Sequence, residues 1–341
     1  MDIDSIKSYF KDLDCTAQTS IIDELTMIKD NSDFNLLSIR EEQLNNKQGN
    51  CPYCGSLKYS KDGREKSGVQ RYLCKSCKRC FNSYTGTWLA KINKKELLVP
   101  YIKLMKEGLS LEKTRKKLEI NKKTAFDWRH KITASLNPIE QGDFKGITES
   151  DETFFLHSQK GSPSMEREAH KRGKKASKRG INNEHVATIV TIDREKNIDL
   201  KVACFGRITK KDIENAIGEK VSNQTVLCSD GHVSYKGFAK ENKLEHHVLR
   251  ADLKQYVKKK IFHIQHVNSA DSRLKDWIDK KLHGVATRYL QNYLNWFRLK
   301  EKFKGTVIMN KMVDSALDPT AHLKFLNIDY NYNKLLESQS S

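Results

Sequence analysis

The chain has 341 residues, with 62 Lys and Arg against 43 Asp and Glu, and a formal net charge of +19. This length accommodates two or three domains, and the lack of any run of about 18 apolar residues argues against a membrane-spanning helix. Met1 opens an acidic segment unlike a secretion signal, so a cytoplasmic protein with no membrane partner is expected.

The charge is unevenly placed. Residues 1–50 hold five Lys/Arg and ten Asp/Glu, which leaves 57 against 33 for residues 51–341. A surplus of that size suits a polyanion, most simply nucleic acid, because each neutralised phosphate releases counterions. A basic protein that is merely soluble is the plainer alternative. The acidic segment, residues 1–48, contains the helical stretches "DSIKSYFKDL" and "SIIDELTMIKD" and suits docking or dimerisation.

Over residues 49–90 the cysteines dominate. Cys51, Cys54, Cys74 and Cys77 form C-x2-C-x19-C-x2-C, two knuckles that present four thiolates to a structural Zn²⁺. This predicts a zinc ribbon whose folding energy comes from the metal. Cys80 is a spare thiol beside the second knuckle, and Cys15, Cys204 and Cys228 stand alone as small core or surface residues.

Residues 91–136 have a helical rhythm. Leu97, Leu98, Tyr101, Ile102 and Met105 recur at helical spacing up to Gly108, Ser110 can cap a second short helix, and Asn121 a third. In that third helix Ala125, Trp128 and Ile132 face inward, leaving Lys122, Lys123, Phe126, Arg129 and His130 outward. This is the plan of a helix-turn-helix DNA-binding domain with a basic recognition helix bearing Lys122, Lys123 and Arg129. An ordinary three-helix bundle with a solvated charged face has the same pattern.

From residue 143 the pattern changes to strands. "GITESDETFFL", "HVATIVTI" and "IDLKVACFG" read as three strands, the last two joined by a hairpin turn at "DREKN". "KKDIENAIGEKVS" is helical, and "QTVLCSDGHVSY" is an apolar strand ending at Asp230-Gly231. The expected architecture over 143–302 is a mixed α/β sheet flanked by helices. If the strands carrying Asp151 and Asp230 are neighbours, two carboxylates converge. Such a pair binds Mg²⁺ and supports phosphodiester chemistry. Taken singly, Asp230 is an ordinary turn residue and Asp151 an ordinary ion-pair partner.

These motifs in this order resemble insertion-sequence transposases of the DDE class, in the ISXO-like group with an N-terminal zinc ribbon. The resemblance is carried jointly by the C-x2-C pair at 51–77, "TAFDWRHKI", "SDETFF", "KRGKKASKRG", "SDGHVSY", "HVNSADSRLKDW" and "HGVATRYLQNYLNWF". It implies a ribonuclease-H-like catalytic domain that cuts and joins double-stranded DNA with Mg²⁺, or Mn²⁺ in its place. Asp151 and Asp230 match the family's first two catalytic aspartates. Some members of the family have Asn in third position with Lys seven residues on, which Asn268 and Lys275 match. On a helix those two lie within roughly 20° of each other. Asp271 is the rival ligand. It lies about 60° round the helix, at a position where the family pattern has His, and Asn268 is preferred to it. The resemblance also implies at least a homodimer on paired ends, and no small-molecule substrate.

The basic insertion 157–184 contains "KGSPSMEREAHKRGKKASKRG", with eight Lys/Arg and two acids. A solvated loop that orders on DNA through Arg167, Lys171, Arg172, Lys174 and Lys175 is expected. The stripe Tyr289, Tyr293, Trp296 and Phe297, with Leu290 and Leu294, is assigned to packing. His246, His247, His263 and His266 lack companions at metal-ligand spacing. Residues 303–341 lose the apolar spacing and are expected to form a frayed C-terminal tail. Two alternatives to a transposase are a catalytically inactive DNA-binding regulator, which the Asn at third position leaves open, and a nuclease that cuts without joining.

Overall fold

In "QRYLC" buried residues (Gln70, Tyr72, Cys74) alternate with more exposed ones, and the segment forms the middle strand of a small antiparallel sheet. Its strands β1 (Tyr59–Arg64), β2 (Gln70–Cys74) and β3 (Cys80–Asn82) lie in the order β1-β2-β3. Tyr59, Tyr72 and Phe81 pack edge-on and stacked, with ring centroids 5.3–5.7 Å apart, and Leu44 closes this core. The coordinates are a computed structural model that describes residues 2–33, 35–136, 142–162, 176–303, 305–318 and 330–339. The chain divides into two compact units, Met1–Ala125 with Met309–Leu323, and Phe126–Ile308 with Lys324–Ser341.

In the first unit the ribbon follows helices α1 (Ile3–Lys11), α2 (Cys15–Asp33) and α3 (Leu36–Asn45), and precedes α4 (Leu98–Lys106) and α5 (Leu111–Lys117). Caps set these boundaries: Ser110 Oγ accepts from the Lys113 N–H at 3.3 Å, and Asn121 Oδ1 from Thr124 at 2.7 Å at the start of α6 (Lys122–Ser135). Leu98, Tyr101, Ile102 and Met105 are buried as their spacing predicts, and the Tyr101 hydroxyl donates to the Ala125 carbonyl.

Two expectations fail here. Arg129 and His130 are buried, not outward-facing. The Arg129 guanidinium lies 5.2 Å over the Trp296 ring, and His130 packs 4.0 Å from Tyr289. Burial holds the His130 imidazole neutral, its pKa down at about 3. The far side of α6 is therefore a packed face, and Arg129 is withdrawn from the DNA-contacting set, while Lys122 and Lys123 are exposed. The frayed tail is corrected too, because Thr306–Leu317 forms a helix, α11. Its Ile308, Met309, Met312, Val313, Ala316 and Leu317 are all buried, a repeat that is itself helical.

The second unit holds a five-stranded mixed sheet. It consists of β4 (Gly146–Leu156), β5 (His185–Asp193), β6 (Ile198–Phe205), β7 (Thr225–Ser229) and β8 (Glu245–Val248), in the order β6-β5-β4-β7-β8. The meander β4-β5-β6 is antiparallel, whereas β7 and β8 join β4 in parallel. Parallel pairing requires crossovers; these are α7 (Lys210–Ile217) and α8 (Val233–Glu241). One core collects Ile189, Leu227, Ile213, Tyr235 and Phe238 between the sheet and these helices. Two further helices are α9 (Gln265–Lys275) and α10 (Leu290–Lys302), and α9 packs against β4 and β5. Gln291 ties α10 to the edge strand β6, accepting from Val202 N–H at 2.8 Å and donating to the Leu200 carbonyl at 2.9 Å. Tyr289, Tyr293, Trp296 and Phe297 are buried, the packing role expected of that stripe. Among the described residues no helix is long and apolar enough to cross a membrane.

Candidate active site

Strand register brings the two aspartates together. In the parallel pair Glu149 lies opposite Cys228, so two residues further along, Asp151 comes level with Asp230 just beyond the end of β7. The Asp230 carboxylate accepts the N–H of His232 at 2.8 Å, and that of Asp151 the N–H of Glu152 at 2.9 Å. The Asp230 side chain is thereby held by the turn after β7, and that of Asp151 by its own strand. Carboxylate oxygens of Asp151, Glu152 and Asp230 lie within 4.8 Å of one another. Glu152, adjacent to the expected aspartate, is an acid that the sequence reading did not single out.

α9 adds the remaining groups. Asn268 is exposed and lines, with Asp230 and Gly231, a cavity of about 600 Å³. Asp271 is only 7 % exposed, and its Oδ1 has no hydrogen-bond partner. Burial pushes the Asp271 carboxyl up to about 7, reinforced by Asp151 and opposed by Lys275. Burial raises Asp151 to about 6, with Asp230 reinforcing and Lys275 opposing, and raises Glu152 to about 8. Lys275 is exposed but close enough for its charge to act on both Asp151 and Asp271. Oxygen donors crowded together, two with unpartnered oxygens (Glu152 Oε2 and Asp271 Oδ1), are a donor set suited to a hard divalent cation such as Mg²⁺ or Mn²⁺.

These raised pKa values set a pH dependence. Carboxyls that hold protons more tightly folded than unfolded stabilise the fold below the ordinary carboxylate range, and that contribution is lost as pH rises through about 6 to 8. The metal-free protein is therefore expected to melt at lower temperature as pH goes from 5 to 8. Added Mg²⁺ should restore the melting temperature by an amount that grows with pH, since binding displaces protons. Differential scanning fluorimetry across that range checks both, and a Mg²⁺ effect independent of pH would refute the assignment.

Glu149, two residues before Asp151 and on the same face of β4, is a functional residue the sequence reading missed. It is 1 % exposed. Its carboxylate accepts from the first-turn backbone of α9, His266 N at 2.8 Å and Val267 N at 3.1 Å, and meets Arg194 Nη1 at 2.6 Å and His266 Nδ1 at 2.7 Å. Ile264, at the N-cap position, offers no side-chain cap, so Glu149 caps the helix from a neighbouring strand. His263 and His266 join this carboxylate in a group of possible metal ligands, but the Arg194 guanidinium already supplies the cation. His246 and His247 are likewise satisfied, by Ser229 at 2.9 Å and Glu245 at 2.8 Å. Glu149→Ala leaves Arg194 and two N–H groups unpaired and is expected to cost about 3 kcal/mol, read from the urea midpoint. Glu149→Gln should cost less. Equal stability of Glu149→Ala and wild type would remove the capping role.

In the ribbon, the Cys51 and Cys77 sulfurs are 3.7 Å apart and those of Cys54 and Cys74 3.6 Å, with all four within 4.8 Å. A tetrahedral Zn²⁺ with bonds of about 2.3 Å sets sulfurs about 3.8 Å apart, so the four residues fit the ion. The backbone N–H of Cys77, and then that of Ser76, pull the Cys74 thiol down to about 6. Cys80 is outside the cluster, 3.7 Å from an Asp62 oxygen. Arg167, Lys171, Arg172, Lys174 and Lys175 of the basic insertion lie outside the described residues.

Residues 143–301 match the family model for the ISXO2-like transposase domain. An uncharacterised protein of the transposable element ISH50 from Halobacterium salinarum is 24 % identical over 277 residues, covering 78 % of this chain and 91 % of that protein. Among solved structures, a pre-cleavage Mos1 transpososome matches with 10 % identity over 67 % of this chain and 77 % of that one. Its TM-score is 0.21, too low to bear on the fold. Residues 143–301, which hold both converging aspartates and all of α9, are thus similar to the ISXO2-like transposase domain.

Proposed function

We propose that the chain is a DNA transposase that binds the terminal inverted repeats of an insertion element, nicks its ends and joins the freed 3′-hydroxyl to target DNA. The observation that carries the reading is the β4–β7 register, which sets Asp151 level with Asp230 inside a transposase-family domain. The meander followed by parallel strands supports a ribonuclease-H-like core. Asp151, Asp230 and Asn268 would hold Mg²⁺, which when bound supplies charge neutralisation at the phosphate and a more acidic attacking hydroxyl. Lys275 offers a point cation to the same phosphate. The ribbon, with Lys122, Lys123 and the basic insertion, would hold the duplex, and synapsis of two ends calls for at least a dimer.

The test is incubation of the full chain with Mg²⁺ or Mn²⁺ and labelled DNA of the element's own end. Joined products are expected. Cut but unjoined DNA would mark a nuclease, and specific binding without either would mark a regulator.

A further inference from the structure

Between β8 and α9 one segment has no part in the chemistry above. Residues 249–264 form one wall of the cavity shared by Asp230 and Asn268, and contribute Arg250, Gln255 and Tyr256 to it. A volume of about 600 Å³ is in the range that admits a nucleotide-sized ligand.

The surface of this segment is unusual. Leu253 and Tyr256 are each 58 % exposed and Val257 44 %, a concentration of open apolar area that marks a binding surface. Lysines 254, 258, 259 and 260 are interleaved with them, and the one acid of the segment, Asp252, is neutralised by Arg250 through hydrogen bonds of 2.8 and 2.5 Å. Three of the four lysines adopt left-handed backbone, with φ of 57° at Lys254, 47° at Lys259 and 64° at Lys260. Glycine takes that conformation without cost and lysine does not, so charged side chains stand where the backbone alone would favour glycine. The segment is pinned beneath by Phe262, stacked 3.6 Å from His247, and by bridges Arg250–Gln255 and Lys258–Phe262.

An open aromatic face set among lysines is the chemistry that receives unpaired bases, the ring stacking on a base while the cations follow the phosphates. We infer that this segment holds an unpaired nucleotide of the DNA strand being processed, its base on Tyr256 and its backbone along Lys254 and Lys258. An acidic peptide would use the lysines and leave the tyrosine face without a role. The inference rests on Asp151 and Asp230 being the reaction centre for DNA.

Fluorescence anisotropy of the full chain with two probes tests it: a blunt duplex, and the same duplex ending in a short unpaired thymidine tail. Wild type should bind the tailed probe about tenfold more tightly. Tyr256→Ala should abolish that preference and Tyr256→Phe preserve it. Lys258→Ala should weaken the tailed probe more than the blunt one and reduce the salt slope of the tailed probe by about one. Equal preference in wild type and Tyr256→Ala, or none in wild type, overturns the inference. Strand transfer on the same probes separates the two ideas. A tail preference abolished by Tyr256→Ala in a chain that does not cut upholds the pocket against the reaction. Cutting without such a preference upholds the reaction against the pocket.

Discussion

Asp230→Ala is expected to lower strand transfer by about a thousandfold or more, with binding to the element's end unchanged, and Asp151→Ala to do the same. Each supplies a charged oxygen at the point where β4 and β7 come level, and the change removes that charge while leaving the strand backbone in place. Because the carboxyls crowd one another, both alanine variants should also melt higher than wild type when metal is absent, a gain that would be hard to explain if either residue were structural. Asn268→Ala should lose most of the activity if its amide, which lines the cavity beside Asp230, is the neutral donor. Asp271→Ala should retain activity. The reverse result for this last pair would assign the third ligand to Asp271, whose buried, unpartnered Oδ1 makes it the strongest rival. Binding intact in all four variants, with activity unaffected in the Asp230 and Asp151 variants, would disprove the site.

Legibility from sequence followed the physics of each element. The strand holding Asp151 was readable because a β-like run is a local property, and its predicted bounds coincide with Gly146–Leu156. The pairing of that strand with β7 is a long-range fact that periodicity does not contain. Arg129 was misjudged because a helix packed on two sides resembles, in sequence, one with a charged outer face. Only the Trp296 ring across from it reveals the difference. Glu149 was passed over because it reads as one more polar residue alternating along a strand; its role depends on four contacts with three residues more than 40 positions away. β8 was missed for a similar reason, since "EHHV" is short and polar and becomes a strand only beside β7.

The zinc ribbon lies at the opposite extreme, legible from spacing alone and most dependent on something the sequence does not carry. Its apolar core amounts to three rings and Leu44, too little to hold three strands together. A structural zinc contributes about 10–16 kcal/mol in such modules, so chelation should unfold β1–β3 outright. Purified protein is expected to carry one zinc per chain by mass spectrometry of the metal. Cys74→Ser should lose it along with the near-ultraviolet signal of Tyr59 and Tyr72, whereas Cys80→Ser, altering a thiol outside the cluster, should keep both. The sheet of the second unit has its own core of Ile189, Leu227, Tyr235 and Phe238, so a second unfolding transition should survive treatment with EDTA. A single transition unmoved by EDTA, or zinc retained by Cys74→Ser and lost by Cys80→Ser, would contradict the four-cysteine assignment.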